Sequence, residues 1–171
     1  MADHVIVELR KIQASYNGNI ESVQHTADMD NGSIINLGDL ITGETELRAV
    51  GTPATATLAT EPVLLVASPE VNYETGKSLK DFYNVADKPA RAYWLTPGDV
   101  FAINYGGITC LANNIPVLGN YVIQANNSLK LTESATIGAT SFSGKIIGLT
   151  TLGYAGVGAA IIQVVKSGAV S

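Results

Sequence analysis

IIGLTTLGYAGVGAAIIQVV, residues 146–165, runs for twenty residues without a charged side chain. As a helix it would be long enough to cross a bilayer. The inside of the run points elsewhere. Gly148, Gly153, Gly156 and Gly158, with Thr150, Thr151 and Gln163, dilute its hydrophobicity. The glycines gather at the centre, in GYAGVG, between two runs rich in β-branched residues. Two β-branched runs around a flexible centre make a hairpin. The segment is therefore expected to form paired strands, and no membrane insertion is expected.

Working outward, the same strand character recurs. VLLVA, residues 63–67, reads as a strand buried on both faces, and ARAYWL, residues 90–95, as another. TPGD is a proline-led turn, and VFAINY after it is a strand stopped by Gly106-Gly107. LGN marks a turn before the strand YVIQ, and SLKLTE and FSGKIIGLTT continue the series. Short strands at close turn spacing predict a mainly β fold, a small barrel or sandwich. SLKDFY, residues 78–83, is read as one short helix with Leu79, Phe82 and Tyr83 on one face.

Residues 1–60 look different: an extended, irregular N-terminal arm or β region preceding a β-rich body at 61–171. VIVEL fits a strand, although HVIVELRKIQ also fits a short helix. Asn31-Gly32 suits a tight hairpin turn. VGTPATATLATEP, residues 50–62, holds little that could build a core and reads as an extended connector lying on other surface.

Composition agrees with strands and turns. The chain has 171 residues, 17 glycines and only 15% charged residues, below the usual quarter. Net charge is −5. Thirteen acidic and seven basic side chains lie in residues 1–98, against two acidic and three basic thereafter. An acidic chain without a basic stripe is a poor nucleic-acid binder, so no nucleic-acid partner is expected. Cys110 is the only cysteine, so no internal disulfide can form, which fits a reducing compartment. MADHVIVELRKIQ lacks a signal-peptide plan because charges interrupt its apolar residues. The glycosylation patterns at Asn31 and Asn126 therefore read as turns.

Gly76-Lys77-Ser78 has the letters of a phosphate-binding loop, but the position of the first motif glycine holds Val71, whose branched side chain resists the required backbone. DMDNG fails as a calcium loop because Gly32 occupies the fifth position. His4 and His25, far in sequence from Cys110, give no metal-ligand spacing and no evident base for a thiol nucleophile. GYAGVG lacks the Gly-x-Gly-x-x-Gly order. Tyr93 and Trp94 could stack on a ligand, yet on a strand one of them faces the core. The expectation is a protein without catalytic, cofactor-binding or metal-ligating residues.

Five blocks in order, NGSIINLGDL, EPVLLVASPEVNYE, SLKDFYNVADKPARAYWLTPGDVFAI, LGNYVIQ and FSGKIIG, span about residues 30–150. This series resembles small head-associated structural proteins of tailed bacteriophages that infect Gram-positive hosts. The resemblance implies a β-rich, non-enzymatic decoration protein of the virion. It would be made in the host cytoplasm and would sit on the capsid surface. Its implied partners are the major capsid protein and copies of itself. The alternatives are a tail or head–tail junction component, or a carbohydrate- or small-ligand-binding β module using Trp94.

Overall fold

A computed structural model describes residues 4–73, 75–153 and 156–168. In chain order the elements are β1 (Val7–Lys11), α1 (Ala14–Asn17), β2 (Ile20–Gln24), β3 (Ile34–Leu40), β4 (Leu47–Gly51), β5 (Leu64–Val66), β6 (Ala90–Trp94), β7 (Val100–Asn104), β8 (Ile108–Thr109), β9 (Tyr121–Ile123), β10 (Leu131–Ser134), β11 (Phe142–Leu152) and β12 (Val157–Ser167). The fold is mainly β, as the sequence predicts.

The described residues of the twenty-residue uncharged run lie in two long antiparallel strands and in the turn between them. β11 pairs with β12 from Phe142↔Ser167 to Leu152↔Val157. Gly153 and Gly156 both take positive φ at the turn, a backbone region that costs glycine little. Tyr154 and Ala155, in the expected flexible centre, lie outside the described residues. Val165 and Ile147 are extra residues in the ladder, one bulge on each strand. No helix among the described residues is long and apolar enough to cross a membrane.

The twelve strands of the described residues divide into two units. β2-β4-β3-β5-β6 closes into a five-stranded barrel, with β2 and β4 parallel and β6 returning to β2. Seven strands form a sheet in the order β1-β7-β12-β11-β9-β10-β8. β8, at the far edge, follows β7 after only a single 3-10 turn over residues 105–107, so that edge lies close to β7, the second strand in the sheet's order.

Alternation along the strands assigns the cores. Leu64 and Val66 enter one cluster with Val23, Ile35 and Ala92, joined by Leu37 and Val50. All five barrel strands contribute, so this cluster fills the barrel. Val63, Leu65 and Ala67 face the other way and join Ile34, Tyr93 and Leu95 in a larger cluster. That cluster also holds Phe101, Ile103, Phe142, Ile146 and Ile162 from the sheet. The barrel's outer face is thus one wall of the sheet's core, and VLLVA is buried on both faces as expected.

The expected division at residue 60 is crossed by this arrangement. β1 pairs with β7 in the sheet, β2 and β3 pair within the barrel with β6 and β5 from beyond residue 60, and β4 lies between β2 and β3. Two crossings link the units, α1 going into the barrel and the TPGD turn coming out. Asp99, 3% exposed, joins them: its carboxylate accepts the Gln13 N–H at 2.9 Å and the Thr96 N–H at 2.8 Å.

Three local expectations change. Asn31-Gly32 is a turn, with Gly32 at φ 84°, but no hairpin, because β2 and β3 do not pair with each other. Asn31 instead bonds both the N–H and the carbonyl of Ser68 and accepts from Asn84. Of residues 50–62, Val50 and Gly51 end β4 and the rest coil into turns rather than extend. They do lie on other surface: the Leu58 carbonyl accepts from Gln124 and Ser141, and Asn126 accepts the Thr55 N–H. SLKDFY holds only a three-residue 3-10 turn, Leu79–Asp81.

Candidate docking surface

The chemistry-bearing residues are dispersed. His4 lies 2.6 Å from Asp30 and stacks on Tyr83. His4 and Asp30 line a cleft of about 430 Å³ that also touches Asn31 and Lys130. An oriented His–Asp pair can serve as a base, yet no hydroxyl or thiol among the described residues hydrogen-bonds the ring. Its visible effect is to pin the N-terminal segment, whose His4 N–H also donates to the Lys80 carbonyl. His25 is taken up by the backbone of Ala27. Among the described residues no group of three or more His, Cys, Asp or Glu could hold a metal.

Ser78, in the Gly-Lys-Ser tripeptide, donates its hydroxyl and its N–H to Asp81. These bonds hold the Asp81 carboxyl below its ordinary range. The serine caps a single turn and is not the start of a phosphate-binding helix; Glu74 in this stretch lies outside the described residues. Asp28 accepts the Ala86 N–H. Trp94 is half-buried against the barrel core, and its indole N–H donates to Glu21 at 3.0 Å. Tyr93 is the core-facing member of the pair, 7% exposed.

A surface that the sequence reading did not single out stands opposite these. Residues 110–120, CLANNIPVLGN, form a loop without a charged side chain. Leu111 (60% exposed), Ile115 (53%), Val117 (52%) and Leu118 (60%) carry its apolar surface outward. Pro116 is buried beneath them. Asn113 and Asn114 take the left-handed backbone, φ 56° and 53°, at the tip, where asparagine is among the residues that tolerate it best. The chain then turns at Gly119, φ 90°, and rejoins β11 through the Gly119 N–H on the Ile146 carbonyl.

One buried carboxylate holds the loop in shape. Glu133 on β10 is 2% exposed. It accepts the Leu111 N–H at 3.0 Å, the Val117 N–H at 2.8 Å and the Asn120 amide at 2.7 Å. Burial alone raises its pKa, but the donors from Leu111, Val117 and Asn120 together outweigh burial and hold it below the ordinary carboxylate value. The same charge, after burial, pushes the neighbouring Cys110 thiol up. Cys110 is itself only part-buried, and a raised pKa lowers the thiolate fraction on which nucleophilicity depends.

The physical oddity is an ordered apolar loop. Loops are ordinarily polar and mobile. Here three charge-assisted hydrogen bonds fix a loop whose side chains gain nothing from facing water. An exposed apolar patch of this kind is a candidate interaction site. The pattern LANNIPVLG could have suggested it, but the partner that fixes it, Glu133, sits thirteen or more residues away in sequence. No protein-family model matches this chain, and no curated protein or solved structure matches it.

Proposed function

We propose that this chain is a non-enzymatic structural protein of a tailed-bacteriophage virion that binds and stabilises the assembled capsid. The observation that carries the reading is the Glu133-held apolar loop. The ordered blocks across residues 30–150 that resemble head-associated phage proteins supply the partner. Leu111, Ile115, Val117 and Leu118 bury themselves against capsid subunits, and the major capsid protein is the partner.

Magnitudes fit a multivalent role. The four side chains expose on the order of 400 Å² of apolar surface, within the range of the largest patch on an ordinary monomer. Burying it is worth about 10 kcal/mol before costs at the usual coefficient. Association itself costs about 4–15 kcal/mol. One loop on one subunit therefore binds weakly. Many copies across a shell, each touching neighbouring subunits, raise the effective strength without any new contact.

The test mixes purified protein with undecorated expanded heads and measures co-sedimentation and heat resistance of the shells. Wild type should sediment with heads and raise their melting temperature. Leu111→Ser/Leu118→Ser, both exposed positions, should keep the fold and lose binding at least about tenfold, the equivalent of 1.4 kcal/mol. Equal binding by the double variant would rule out the loop; no binding by wild type at micromolar concentration would overturn the reading itself. Copy number per virion places the protein: hundreds of copies fit the shell, a dozen or fewer the tail junction.

A further inference from the structure

We propose that the distal edge of β11, Gly148–Leu152, pairs antiparallel with the same edge of a second copy of this chain. β11 is eleven residues long, but its two neighbours differ in reach. β12 covers it from end to end. β9 covers only Ser143–Lys145, and the last backbone bonds on that side join Ile146 to Gly119 and Asn120. Beyond that point the loop turns away, with the Asn120 N–H on the Val117 carbonyl. No described strand takes up the remaining edge.

This edge lacks the protections the molecule places elsewhere. An unpaired edge invites pairing with another chain unless charge, a bulge or shortness blunts it. β1, at one end of the sheet, has Glu8, Arg10 and Lys11 and a bulge between Leu9 and Lys11. β8, at the other end, is two residues long. The β11 edge has neither device over its last five residues. Its ladder to β12 runs without a break from Gly148↔Ile161 to Leu152↔Val157. Leu149 is 44% exposed, and Thr151 is exposed beside it.

Two-fold symmetry suits an identical occupant, and charge at this edge does not oppose one. Two copies of a chain with net charge −5 repel each other over most of their surface. From Ile146 to Val165 the hairpin has no charged residue. An identical partner meets no like charge there, and an antiparallel edge is self-complementary about a two-fold axis. A five-residue strand is far short of the roughly 800 Å² per partner of a standard interface. The contact is therefore weak and concentration-dependent in solution, and it strengthens where copies are held close together.

The experiment needs no heads, so its outcome is separate from that of capsid binding. Amide hydrogen exchange of the full chain is followed at about 5 and about 500 µM, bracketing a weak interface. Exchange of those Gly148–Leu152 amides that point away from β12 should slow at least about tenfold at the higher concentration, with β1 amides unchanged. Sedimentation velocity should show a dimer over the same range. Leu149→Lys puts a charge on the edge and should abolish both effects. Thr151→Lys, at an exposed position, serves as the second variant if the first fails to fold. Concentration-independent exchange at these amides would overturn the proposal. So would protection appearing at β1 instead, or dimers that persist in a folded lysine variant.

Discussion

Glu133 shows how much one side chain can organise. Its carboxylate is acceptor-only, and three donors converge on it. Glu133→Ala would strand the Leu111 and Val117 N–H groups and the Asn120 amide; unsatisfied buried donors cost about 1–3 kcal/mol each, and the loop can recover part of that by turning to water. A net loss of about 3 kcal/mol is expected, read as a lowered midpoint in urea. Glu133→Gln keeps one acceptor oxygen and should lose less. The pH dependence has a definite sign. The folded-state pKa lies below the ordinary carboxylate value, so the group's contribution is complete above that ordinary value and is lost as pH falls through the lower folded pKa. The stability gap between wild type and Glu133→Gln should therefore be widest near neutrality and close as pH drops well below 4.5. A gap independent of pH would show that the charge does not hold the loop. None of this was legible in SLKLTE, where Glu133 reads as one polar residue on a strand. The donors come from a loop whose fold is set by that same carboxylate, so neither half of the site has a local signature.

Elements were most legible where the pattern is local and least where the partner is remote. The β11–β12 hairpin follows from its own sequence: glycine at the turn, β-branched residues on either side, no charge between. β5 likewise declares its two-sided burial, because five consecutive apolar residues leave no solvent face. The Asn31-Gly32 turn forms, yet its flanking strands pair elsewhere, with β2 taking β4 and β6 and β3 taking β4 and β5. A dipeptide can specify a reversal without specifying which strands meet across it. Gly38 gives an element-level test of barrel closure. β3 shifts register against β4 between Leu37 and Leu40, and a Cβ at Gly38 would lie 2.7 Å from the Ala49 carbonyl oxygen. That oxygen is backbone, so it can move only with β4. Gly38→Ala should cost about 1–3 kcal/mol as overpacking does, seen in thermal melts. An unchanged melting temperature would mean that β4 shifts freely and that the close approach does not set the register.

At the scale of the whole molecule, two β units behave as one body because they share a wall. Residues 1–60 read as an arm or irregular β region because VIVEL fits strand and helix alike and residues 50–62 hold little that could build a core. In the fold they need none: β1 completes the sheet, β2–β4 close the barrel with β5 and β6, and the 50–62 segment bonds to Gln124, Asn126 and Ser141. The larger core then mixes Ile34, Leu65 and Tyr93 from the barrel with Phe101, Phe142 and Ile162 from the sheet. If either unit opened alone, it would expose half of that cluster. Unfolding should accordingly be a single transition, with calorimetric and van't Hoff enthalpies in a ratio of about one. Phe101→Ala, at a fully buried sheet position, should cost about 3–5 kcal/mol. For a chain of this length that lowers the midpoint by about 10 °C. The decisive readout is Trp94, the only tryptophan, which sits against the barrel core on the far side of the shared wall. Its fluorescence transition should move with the far-UV circular dichroism transition, although the substitution lies in the other unit. A sheet that melts early in Phe101→Ala while Trp94 keeps its native emission would establish two independent domains and separate the barrel from whatever the sheet binds.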